Sequence, residues 1–137
     1  MKIWHTIAAS VFMLWSVAAL AGDNIPADNQ ATLDAAKVPA YPGATFCTGS
    51  PTTCMRLATS DSVEKVRQWY RDQLPNWNTY KEYGGWILYA GSKGAKVEDI
   101  FSSFQVSVAE NPELPNWHGL SSDMTTEILI ALLEPPH

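Results

Sequence analysis

Few side chains in this sequence are able to do chemistry. Of the three histidines, His5 lies in the leading apolar segment and His137 is the final residue, which leaves His118 as the one candidate general base. Imidazole titrates near neutrality and so suits proton transfer, and Ser121, Ser122 and Asp123 follow closely enough to sketch a Ser-His-Asp arrangement. Triad members normally converge from separate elements, however, and the G-x-S-x-G elbow does not occur in the sequence. The expectation is a loop histidine and no catalytic residue, with a hydrolase centred on His118 as the minor alternative.

Glu110, Glu113, His118 and Asp123 share one connection and could in principle surround a metal ion. Their spacing matches neither the His pairs of zinc sites nor the Asp ladder of calcium loops, so a solvated acidic loop is expected and no metal. Gly91-Ser92-Lys93-Gly94 resembles part of a phosphate loop but lacks the full G-x-x-x-x-G-K-[ST] pattern, and reads as a turn. Fourteen acidic residues guarantee close carboxylates somewhere, so paired acids alone do not argue for glycoside hydrolysis. No cofactor is expected.

Cys47 and Cys54 are the only cysteines, and Thr48-Gly49-Ser50-Pro51-Thr52-Thr53 lies between them. A lone nearby pair in an exported chain reads as a structural disulfide, expected to add about 2–3 kcal/mol through loop closure. The tryptophans Trp69, Trp77, Trp86 and Trp117 are the candidate binding residues. Leu74-Pro75-Asn76-Trp77 is echoed by Leu114-Pro115-Asn116-Trp117. Rings after such turns commonly fold back over a small core; exposed, they would anchor a protein or stack on a sugar. Trp69 lies off the main stripe of its helix and is the first candidate for an exposed ring.

The elements that carry these residues begin with an export signal. Lys2 supplies a charge, residues 7–20 are uncharged and largely apolar, and Ala19-Leu20-Ala21 offers small residues at the two positions that signal peptidase reads. Cleavage after Ala21 is expected, the alternative being an uncleaved anchor for which the run is short. Gly22 and Asp23 follow, with no cysteine to accept a lipid. The mature chain would then carry eight basic and fourteen acidic side chains, a formal charge of −6. With no basic cluster, that balance disfavours nucleic acid and anionic membranes. A periplasmic or secreted product without a membrane span is expected.

Residues 22–37 are polar, Ala-rich and weakly patterned, and read as a flexible arm ahead of a single domain over residues 38–137. Asp61-Ser62-Val63-Glu64 has capping-box spacing, with Asp61 as the expected cap. Val63, Val66, Tyr70 and Leu74 then recur on one stripe until Pro75, which predicts an amphipathic helix over residues 62–74. Aromatic-rich runs at 77–83 and 86–90 flank Gly84-Gly85 and read as a hairpin. Phe104, Val106 and Val108 alternate with polar or small residues, as in a half-buried strand. Residues 125–133 are apolar on both parities and predict a central strand, with a helix from Ser122 or Asp123 as the alternative. The fold class is therefore α+β: one main helix on an antiparallel sheet of about four to five strands.

Tyr41-Pro42-Gly43-Ala44, then Thr59-Ser60-Asp61-Ser62 opening Val63, Val66, Trp69-Tyr70 and Leu74, then Trp77, resembles a pattern in small exported bacterial domains of unassigned function. The likeness covers residues 41–90 and implies an α+β domain; it brings no catalytic residue. The functional expectation is a non-catalytic exported protein that binds a macromolecular partner, possessing an inhibitor- or immunity-like role. The alternative is a binder of glycan or small ligand through exposed tryptophan.

Overall fold

The computed structural model describes residues 24–82 and 84–132. The expected signal segment and residues 133–137 lie outside that range. Six antiparallel strands form one sheet: β1 (Thr45–Gly49), β2 (Cys54–Thr59), β3 (Asn78–Tyr80), β4 (Ile87–Tyr89), β5 (Gln105–Glu110) and β6 (Thr126–Ala131), in the spatial order β1-β2-β6-β5-β4-β3. The α+β class expected from the sequence is the one observed, with one or two strands more. β6, at the expected 125–133 run, pairs with β2 on one side and β5 on the other. The hairpin about Gly84-Gly85 also forms, with Asn78 opposite Tyr89 and Tyr80 opposite Ile87, but its strands are only three residues each.

Alternation sends Met55, Leu57, Ile128, Ile130, Val106 and Val108 to one side of the sheet, where all are buried. The predicted helix is α2 (Val63–Gln73), which lays Val66 and Tyr70 on that side. Its cap is Ser62, whose Oγ accepts from the Lys65 N–H at 3.2 Å, one residue later than expected. Asp61 instead accepts a hydrogen bond from the Tyr41 hydroxyl at 2.5 Å. That bond ties the Tyr-Pro-Gly segment to the start of the helix. Arg67 fixes the other flank, donating through Nε and Nη2 to the Val108 carbonyl at 3.0 and 2.8 Å.

The flexible arm expected over residues 22–37 is largely a helix. α1 (Ala27–Ala36) follows Pro26 and ends at Lys37 in the left-handed region, φ 58°. Proline is well placed ahead of a first turn. Leu33 is fully buried in the core cluster with Val38 and Tyr41, and Asn29 is buried too. The helix lacks an apolar stripe because this one leucine makes the central contact, so no periodicity betrayed it.

Neither cysteine is bonded to the other; both are free thiols. Register gives the reason. Gly49 pairs with Met55 and Thr48 with Arg56, and Cys47 sits in the irregularity between Phe46 and Thr48. Cys54 therefore lies beyond the last pair, displaced along the strands from Cys47 by three residues or about 10 Å at the usual strand rise. A disulfide needs Cα atoms within roughly 7 Å. At Gly49, with φ 132°, an added Cβ would run into the Cys54 carbonyl, so the turn closes only with glycine there.

Candidate binding surface

The opposite side of the sheet is only partly covered. The same alternation that buries Met55 and Leu57 places Cys54, Arg56 and Ala58 on this side, beside Ala131, Leu129 and Glu127 of β6; Cys54 is exposed and Arg56 half-buried, while Ala58 is fully covered. Two short helices lie in the connections that flank β5: α3 (Val97–Phe101) before it and α4 (Leu114–His118) after it. Ile100 anchors α3, and Leu114 with its neighbour Pro115 anchors α4, all three buried. Five residues leave no room to hide a second large side chain. Val97, Phe101 and Trp117 are thus the exposed large hydrophobic residues among the described ones, at 44, 50 and 59 %.

Trp117 has a charged underside. The Arg56 guanidinium carbon lies 5.8 Å from its ring centroid, within cation–π reach. Arg56 Nε is 2.9 Å from Glu127 Oε2, though its N–H is not aimed at the oxygen, so the contact is an ion pair and not an aligned hydrogen bond. Asn111 Nδ2 donates to the same Glu127 oxygen at 3.0 Å. Both thiols feel this pair. Burial pushes the Cys47 and Cys54 thiols up, Arg56 works against that rise and Glu127 adds to it. The net direction keeps them protonated at neutral pH, which makes them poor nucleophiles.

The other candidate tryptophans are not surface rings. Trp86 is 3 % exposed and belongs to the core, with Arg67 and Arg71 stacked over it at 5.5 and 6.0 Å. Trp69, the first candidate for exposure, is half-buried: Tyr41 and Tyr70 meet its ring edge-to-face at 5.3 and 4.9 Å. Trp77 packs against the core from its margin. The Leu-Pro-Asn-Trp echo therefore marks two different environments. In the first copy the ring turns inward; in the second it stands out from α4.

His118 closes α4 ahead of Gly119, and its Nε2 is buried without a hydrogen-bond partner. Among the described residues no hydrogen bond joins it to Ser121, Ser122 or Asp123, and no three His, Cys, Asp or Glu side chains converge as metal ligands. Of the acids of the β5–β6 segment, Glu113 and Asp123 lie in the same connection as Trp117, whereas Glu110 ends β5 at the parity of Val106 and Val108; all three are exposed, and none of them is in an ion pair among the described residues. The chain matches no family model, no curated protein and no solved structure. The surface must be read from its own chemistry.

Sequence reasoning singled out Trp117 but missed Arg56, Glu127, Asn111 and Phe101. One signal was present: Arg56, between Met55 and Leu57, and Glu127, between Thr126 and Ile128, each sit inside a strand at the parity opposite the core. That they are neighbours depends on β6 entering beside β2, which no local pattern reveals.

Proposed function

We propose that this chain is an exported, non-catalytic binding domain that recognises a macromolecular partner through the face carrying Trp117. The single observation that supports this reading is an indole 59 % exposed above the half-buried Arg56–Glu127 pair. Tryptophan and arginine dominate binding hot spots, because they combine large contact area with directed polar groups. An ion pair beneath the ring fixes the anchor before binding and lowers the ordering cost. The unpaired Glu113 and Asp123 in its connection favour a partner with a basic surface, as the basic enzyme target of an inhibitor or immunity protein would have. Export is proposed on Lys2, the apolar segment and Ala19-Leu20-Ala21.

The test is chemical cross-linking in an envelope extract, with wild-type protein and Trp117→Ala side by side. A stoichiometric partner should be captured by the wild type and lost with the variant. No such partner, or equal capture by both proteins, would refute the reading. A second reading, glycan stacking on Trp117, is favoured by the polar Arg56, Asn111 and Glu127 cluster beside the ring. Titration with cell-wall oligosaccharides should then shift tryptophan emission in the wild type and leave Trp117→Ala unchanged; a flat wild-type titration removes it.

A further inference from the structure

On the same side of the sheet, at its far edge from Trp117, the β3–β4 hairpin and α3 enclose a cavity of about 390 Å³ lined by Tyr80, Glu82, Gly85, Ile87, Val97 and Phe101. That volume falls in the range of small-molecule sites. Tyr80 and Phe101 form two of its walls, their rings edge-to-face at 6.4 Å. Ile87 and Val97 make the lining otherwise aliphatic. Glu82 is the one charged residue in the lining, and it takes part in no ion pair among the described residues.

We infer that this cavity binds a small organic cation: an apolar ring bearing one protonated amine. Two observations select that chemistry. The face of either lining ring, Tyr80 or Phe101, carries the negative side of its quadrupole and attracts a cation. The Glu82 carboxylate offers an acceptor-only partner that repels an anion and gives a neutral alcohol less than it gives an ammonium. The apolar remainder takes the ring, and Gly85 leaves the rim open beside Glu82. The site is separate from the Trp117 surface and does not depend on its reading.

Phenethylammonium is the probe, with 2-phenylethanol as its neutral counterpart and 3-phenylpropionate as its anionic one. Methyl resonances of Ile87 and Val97 report binding by nuclear magnetic resonance. Phenethylammonium should shift them saturably and bind about five-fold more tightly than the alcohol, the size expected of one exposed charge contact together with one cation–π contact. The propionate should bind weakest. Glu82→Gln should bring ammonium and alcohol to equal affinity, and Phe101→Ala should remove binding of all three. Both side chains are exposed, so the spectra of the variants should otherwise remain those of the folded wild type. Absence of saturable shifts, equal affinity for the amine and the propionate, or a preference that survives Glu82→Gln would overturn the assignment.

Discussion

Leu33→Ala is a direct test of whether the amino-terminal helix is part of the folded unit. Leu33 is fully buried and is the main apolar residue that α1 contributes to the core, where it meets the cluster containing Val38, Tyr41 and Tyr70. Exposing a leucine side chain forfeits about 1.5–3 kcal/mol of burial, and the void left behind raises the total to about 2–5 kcal/mol. The lower half applies here if α1 settles inward to fill the space, since only one helix must move. Urea unfolding at neutral pH measures the loss, and heating should show a melting point lowered by roughly 10–15 °C for a loss near 3 kcal/mol. Leu33→Met keeps the volume and should cost less than about 1.5 kcal/mol. Ala31→Ser, on the exposed side of the same helix, should change stability by no more than about 0.5 kcal/mol. If Leu33→Ala unfolds within about 0.5 kcal/mol of the wild type, α1 is not docked and the packing described for residues 27–36 is wrong.

The tryptophans should separate in the same assay: Trp86→Ala should cost about 3–5 kcal/mol, whereas Trp117→Ala should be neutral within about 0.5 kcal/mol, and a reversed order would contradict the assignment of core and surface. The Tyr41–Asp61 hydrogen bond holds the Asp61 carboxyl below its ordinary value, so its stabilisation is present above the usual carboxylate range and is lost as pH falls through the lowered value. Asp61→Asn should therefore flatten the acid side of a stability-against-pH curve; an unchanged acid limb argues against the bond. Tyr41 itself, buried and bonded to Asp61, is pushed up to about 12, so its share is complete below pH 10 and disappears as pH rises toward 12. Tyr41→Phe should abolish that alkaline loss in the same titration. Iodoacetamide should modify Cys54 before the less exposed Cys47, at rates that climb as pH is raised; an intact mass short of two hydrogens would instead reveal a bridge and a different β1–β2 register.

What the sequence makes legible is what repeats. Val66, Tyr70 and Leu74 mark α2, the alternation at Phe104–Val108 marks β5, and the continuous apolar run at 125–133 marks β6, because each is long enough to show a pattern. α1 has one leucine and no stripe, and α3 and α4 are too short for a period to emerge. Ser62 and Asp61 are both competent caps, and only tertiary structure decides between them: Tyr41 claims the aspartate. Proximity in sequence suggested a disulfide, whereas the strand register separates the thiols. Trp117 was legible as an aromatic after a turn, but not as the exposed one of four, since exposure is set by what neighbouring elements leave uncovered. Arg56 and Glu127 lie far apart in the chain, and sheet order alone makes them partners.

That order also governs when the molecule can assemble. β6, the last of the described strands, is inserted between β2 and β5, so until it is available the β1–β2 hairpin and the β3–β4–β5 meander have no common edge to join. Such a topology delays cooperative closure until β6 has joined, because the contacts that complete it span the longest loops. A stop codon placed ahead of Thr126 would yield two orphaned half-sheets rather than a smaller version of the domain.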